Sequence, residues 1–110
     1  MDNNLIITKE LTPKGIKYAI EGRIYTSNAE ILQLNLDEAL GEKQFNIVLN
    51  MSQVDYISSS GIRVILKAYM DAKKAGGKLE IEMPSESVRN ILKITALEGM
   101  LVPSQAEGNA

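Results

Sequence analysis

The chain has 110 residues, 45% of them hydrophobic and 24% charged, which is the size and balance of one globular domain, expected over residues 1–110 with its body at about 5–102. Its net charge of −2 without any basic block argues against a nucleic acid partner; no apolar run approaches the ~20 residues of a membrane span, and the opening Met1 to Leu5 lacks the pattern of a secretory leader, so a cytoplasmic location without membrane insertion is expected. The absence of cysteine and histidine removes disulfides, Cys/His zinc sites, thiol nucleophiles and Ser–His pairs, so neither a metal or other cofactor nor catalysis is expected.

Leu5, Ile6, Ile7 and Leu11 predict a first strand, and Thr12-Pro13-Lys14-Gly15 a reversal. Ile16, Tyr18 and Ile20 alternate with Lys17, Ala19 and Glu21, the period of a second strand, so the chain opens with an antiparallel hairpin. Thr26, Ser27 and Asn28 are helix-capping residues. Ala29, Leu32, Leu36 and Leu40 then recur at helical spacing, and Gly41 sits where that helix would stop. Phe45 to Leu49 is a short apolar run, as expected of a strand covered on both faces. Ile62, Ile65, Leu66, Tyr69 and Met70 trace the inner stripe of a second helix, which Gly76-Gly77 would end. Leu79, Ile81 and Met83 alternate with Glu80 and Glu82 as another strand, and Ser85 is placed to cap a third helix bearing Val88, Ile91 and Leu92. Leu97, Met100, Leu101 and Val102 form a last apolar patch, followed by a tail expected to fray from 103 to 110. The order β-β-α-β-α-β-α predicts an α/β fold with a parallel portion and an antiparallel N-terminal edge.

The chemically suggestive stretch runs from Val54 to Arg63 and contains Ser58-Ser59-Ser60-Gly61. It joins the carboxyl end of a central strand to a helix start, the place where α/β sheets gather ligand and partner sites. Unpaired N–H groups and the positive end of the helix dipole favour negative charge there, and Arg63 lies one turn further on. A phosphate on a serine at this point would add ~1.5 to 2 negative charges without melting the helix. Residue physics alone leaves two roles open, a phosphate acceptor and a plain helix cap worth ~1 kcal/mol, and favours the cap. The glycine-flanked Gly-x-Ser-x-Gly pattern of a nucleophile elbow is missing and there is no histidine to take the proton, and no Gly-x-x-x-x-Gly-Lys sequence supports a phosphate-binding loop.

Val54-Asp55-Tyr56-Ile57-Ser58-Ser59-Ser60-Gly61-Ile62-Arg63-Val64-Ile65-Leu66 resembles the signature of the STAS family, the anti-sigma-factor antagonists of bacteria. Glu21-Gly22-Arg23-Ile24 with Thr26 to Ala29 resembles the family segment before the first helix. Gly76 to Leu79 resembles its second-helix exit, and Val88 to Leu97 its third helix, so the likeness covers roughly Leu5 to Val102. The resemblance implies a mixed sheet, parallel in its core with an antiparallel N-terminal edge strand, packed by about four helices. It also implies binding to an anti-sigma factor with serine-kinase activity, which frees a sigma factor for transcription. Phosphorylation would then fall on the serine two positions before the motif glycine, here Ser59, with a PP2C-type phosphatase restoring the active form. The partner-binding residues implied, or placed beside that serine, are Tyr25, Thr26, Ser27, Ser58, Ser59, Ser60, Gly61, Arg63 and Lys67. The chain carries Ser58 and Tyr25 at two positions where the family often has aspartate.

An alternative from the same family is a constitutive accessory subunit of a lipid-transport ABC system, needing no phosphorylation. Arg63, Lys67 and Lys74 fall near one helix face and read first as a solvated edge. Glu80 and Glu82 share a strand face without a His or Cys, a poor metal site. Met51, Met70 and Met83 are expected as core fillers.

Overall fold

In the computed structural model, residues 5–103 are described. They form strands β1 (Leu5–Thr12) and β2 (Gly15–Ile24), helix α1 (Ala29–Gly41), strand β3 (Asn46–Ile57), helix α2 (Ser59–Lys74), strand β4 (Lys78–Glu82), helix α3 (Glu86–Ile94) and the short helix α4 (Glu98–Leu101). The four strands lie in the order β1-β2-β3-β4. The β1–β2 pair is antiparallel, and β2–β3 and β3–β4 are parallel, as the α1 and α2 crossovers require. The expected mixed sheet with its antiparallel edge is therefore present. The proposed tail lies, after Pro103, outside the described residues.

Alternation explains which face of the sheet is covered. Ile16, Tyr18 and Ile20 of β2, Ile47, Leu49 and Met51 of β3, and Leu79 and Ile81 of β4 are buried and share one cluster with Leu32, Leu36, Ile65, Val88 and Leu92 from the helices. The intervening Lys17, Val48, Asn50, Ser52, Glu80 and Glu82 remain partly accessible on the other face. There Lys17 pairs with Glu82 at 3.1 Å and Lys78 with Glu80 at 3.3 Å, so these glutamates are surface ion-pair partners. β3 thus corrects the expectation of a strand covered on both faces: it is longer than Phe45 to Leu49 and is buried on one side only. An apolar run cannot reveal a one-sided strand when an isolated Val48 sits on its open face.

The helix stripes need a similar correction. In α2, Ile62 and Ile65 are buried with Ala68 and Ala72, whereas Met70 is 56% exposed. Leu66 and Tyr69 are half-buried at its flanks. Small alanines let α2 lie close to the sheet, and a helix turning 100° per residue carries position 70 away from position 65. Met83 is 64% exposed with φ of +51°, where the chain leaves β4, so of the three methionines expected inside only Met51 is buried. α1 does stop at Gly41, as its position predicts, and the left-handed residue that follows is Lys43, at φ of +63°. α3 starts as its sequence predicts: Ser85 Oγ accepts from Val88 N–H at 3.2 Å and donates to the Val54 carbonyl at 2.5 Å, tying the helix to β3. Arg89 and Glu98 then join α3 to α4 by an ion pair, and Leu101 is the buried member of the last apolar patch.

Tyr18 tests this packing. Its ring is fully buried and its hydroxyl donates to the Asn35 carbonyl of α1 at 3.0 Å. Burial, helped by the charges of Glu38 and Glu42, pushes its pKa up to about 12. An unfolded tyrosine ionises near ~10, so above that pH the unfolded state loses the proton first and stability falls until the folded pKa is passed. Tyr18→Phe is expected to remove this alkaline component: wild type should lose stability relative to the variant between pH ~10 and about 12, measured by denaturant unfolding.

Candidate functional site

β3 ends at Ile57, and Ser58 turns the chain into α2. Ser58 is buried; its N–H donates to the Ile24 carbonyl at 2.8 Å and its hydroxyl accepts from Gly61 N–H at 3.1 Å. It is therefore the helix cap, held at the same time to the end of β2. Gly61 is buried against both strands: a Cβ there would stand 2.7 Å from Ile24 Cγ2 and 2.8 Å from Ile57 Cγ1. Glycine is required here by contact, because the first turn of α2 rests directly on the strand ends.

The remaining serines divide sharply. Ser60 is half-buried and its hydroxyl bonds to Thr26 Oγ1 at 3.4 Å, linking the turn to the loop before α1. Ser59 is exposed at the first position of α2, and among the described residues its hydroxyl has no hydrogen-bond partner. One serine caps, one bridges, and Ser59 alone presents its oxygen to solvent.

The loop before α1 is held from within by Asn28. Its Oδ1 accepts from Tyr25 N–H at 2.7 Å and its Nδ2 donates to the Arg23 carbonyl at 3.0 Å. Asn28 thus occupies the cap position without making a side-chain cap bond. The Thr26-Ser27-Asn28 run reads as interchangeable caps in the sequence, but burial assigns Asn28 to bracing. Tyr25 is half-buried, and Thr26 and Ser27 are exposed. Thr26 faces the serine turn; no hydrogen bond ties Ser27 to it.

Two neighbours were not among the expected site residues. Tyr56, 45% exposed, packs its ring 5.6 Å from that of Tyr25 at 39°, and Arg23 Nη1 donates to the Tyr25 hydroxyl at 3.5 Å. Arg23 and Tyr56 are register partners in β2 and β3, a proximity that local spacing does not announce. The bond and the charge of Tyr25 raise the Arg23 pKa, with Asp55 adding to it. The Tyr25–Tyr56 pair forms an aromatic wall at the same end of the sheet as Ser59.

On the other side of the turn, a groove of about 500 Å³ separates α1 from α2, lined by Thr26, Glu30, Asp37, Ser60, Arg63 and Lys67 among others. Lys67 bonds to Asp71 at 2.9 Å, which raises its pKa. Arg63 is exposed and has no ion-pair partner among the described residues. No cluster of three or more metal-ligating side chains occurs among the described residues, and none of their helices is long and apolar enough to cross a membrane.

A mixed sheet with helices on one face, and a serine turn where its third strand enters a helix, defines a small α/β domain. The chain belongs to the STAS domain family, whose model matches residues 7–110. It is 26% identical to the anti-sigma-B factor antagonist of Bacillus subtilis over 106 residues, 96% of each chain. It is 29% identical over 76 residues to BtrV of Bordetella bronchiseptica, named as a candidate anti-sigma factor antagonist, covering 69% of this chain and 66% of that one. Among solved structures, the anti-sigma factor antagonist SpoIIAA superposes in its unphosphorylated form with a TM-score of 0.78 at 16% identity, over 94% of this chain and 92% of that one. Its phosphorylated form, from Bacillus, superposes at 0.71 and 16% identity, over 94% and 96%. These structures share the fold.

Gly61→Ala is the sharpest probe of the junction. The added methyl has no room between Ile24 and Ile57, so overpacking should cost ~1–3 kcal/mol. The thermal midpoint is expected to fall by roughly 5–20 °C in a melt followed by circular dichroism.

Proposed function

We propose that this protein is an anti-sigma-factor antagonist that binds an anti-sigma factor with serine-kinase activity and is switched off when that kinase phosphorylates Ser59. A PP2C-type phosphatase would return it to the binding form. The protein itself supplies the acceptor hydroxyl and the docking surface, and the kinase supplies the chemistry. The observation that carries this reading is the division of labour among the three serines: Ser58 and Ser60 are engaged, and Ser59 is exposed and unbonded. The relatives named as anti-sigma factor antagonists support the partner class, and SpoIIAA, which shares the fold, has been solved in a phosphorylated form.

The switch follows from electrostatics. A phosphoryl group on Ser59 places ~1.5 to 2 negative charges at the corner where Tyr25, Thr26, Ser60 and Arg63 meet solvent. A partner packed on that corner loses a desolvated contact and meets repulsion from its own carboxylates or phosphates. The helix accepts the charge, because its first turn carries no acidic residue. The domain therefore changes its surface without changing its fold.

Incubation with the anti-sigma kinases of the source genome and ATP, followed by intact-mass analysis, should show one added phosphoryl group on wild type and none on Ser59→Ala. An unmodified wild type beside a demonstrably active kinase would end the proposal. Ser59→Asp should weaken kinase binding while leaving the thermal midpoint nearly unchanged, because the position is exposed and an acid at a helix start is tolerated. A large stability loss would instead make Ser59 a structural residue.

The aromatic wall belongs to the same docking surface, since tyrosine and arginine dominate the energetics of protein interfaces. Tyr56→Ala is expected to lower affinity for the unmodified kinase partner about tenfold or more, measured by calorimetry. Unchanged affinity would confine docking to the groove side of Ser59.

A further inference from the structure

We infer that Arg63 is the resident counter-charge of the phosphorylated state: once Ser59 carries a phosphoryl group, the Arg63 guanidinium closes over it as an intrahelical ion pair. The inference rests on the reading of Ser59 as the phosphoacceptor. It assigns Arg63 a role in the modified protein in place of the solvated helix edge that the sequence suggests.

Helix geometry brings the two together. Residues four apart are neighbours on a helix surface, and helical side chains lean toward the N-terminus, which puts the turn that begins at Ser59 within reach of the Arg63 guanidinium. Other bases near the turn are occupied: Lys67 is bonded to Asp71, and Arg23 is held by Tyr25 beside Asp55. Arg63 is the exposed cation on this part of α2 without a carboxylate partner among the described residues. Glu30 and Asp37 line the facing wall of the groove from α1, but neither forms an ion pair with it. The α2 start itself has no first-turn acid, and its cap bond uses Gly61 N–H, leaving the Ser59 and Ser60 N–H groups to the phosphate oxygens. A guanidinium offers a paired set of donors that matches two phosphate oxygens.

Phosphorylation then acts twice on the same corner. It adds negative charge, and it draws Arg63 into an internal pair, removing a cation that the unmodified surface offers to its partner.

The test installs phosphoserine at position 59 during translation, so that no kinase is needed, and follows the phosphate by 31P NMR through its second ionisation near pH ~6. In wild type the phosphate pKa should lie about 0.3–0.7 unit below that of Arg63→Gln, the span of an exposed ion pair, with the gap shrinking as salt is added. Arg63→Lys should fall between the two, and Arg23→Gln should match wild type. Equal phosphate pKa values in wild type and Arg63→Gln would overturn the pairing, as would a shift produced by Arg23→Gln in place of Arg63→Gln. The titration is independent of the kinase, so the two failures are distinguishable: a wild-type protein that an active kinase leaves unmodified overturns the signalling proposal, and the phosphate titration alone decides the Arg63 pair.

Discussion

The close approach of α2 to the ends of β2 and β3 is the constraint from which the site follows. At Gly61 the helix backbone rests against Ile24 and Ile57 with no room for a side chain. That contact forces the preceding residue pair, Ser59 and Ser60, to divide between solvent and the α1 loop, and it places Ser58 where its hydroxyl can cap the helix while its N–H bonds to Ile24. A looser junction would leave three equivalent serines. The tight one makes them different, and among the described residues only the outermost leaves its hydroxyl exposed and unbonded.

The surroundings of the turn are built to keep it in place from both sides. Asn28 uses its amide to hold the Arg23–Tyr25 segment, and Thr26 reaches Ser60 across the gap. Behind these, Ser85 anchors α3 to the Val54 carbonyl, just before the turn in β3. Buried polar groups of this kind are costly if left unpaired, and Asn28 and Ser58, the buried polar residues among those described, both have partners. The corner is therefore braced on both sides of the turn, and the proposed phosphorylation would alter its surface charge without rearranging the domain.

The one-sided sheet shows where reading a sequence by its apolar runs succeeds and where it fails. Hairpin, crossovers and the order of elements were legible because alternation in β2 and β4 and helical spacing in α1 and α3 are local signals. The misplaced methionines, Met70 and Met83, were not, because a methionine fits a core or a surface equally well and its burial depends on what lies across from it. Gly41 closes α1 where its position predicts, but the left-handed φ falls on Lys43, because the next strand's position decides where the chain must reverse.

The amino-acid order by itself determined the α/β architecture, the serine turn at a strand–helix junction and the likeness to the STAS family, since each rests on residues close together along the chain. The tertiary structure decided which serine is free, that Asn28 braces the loop, and that Tyr56 and Arg23 stand beside Tyr25. Those outcomes depend on register between β2 and β3 and on the depth at which α2 sits, quantities fixed by packing between segments some thirty residues apart. Spacing along a strand or helix names candidates; contact across the sheet assigns their roles.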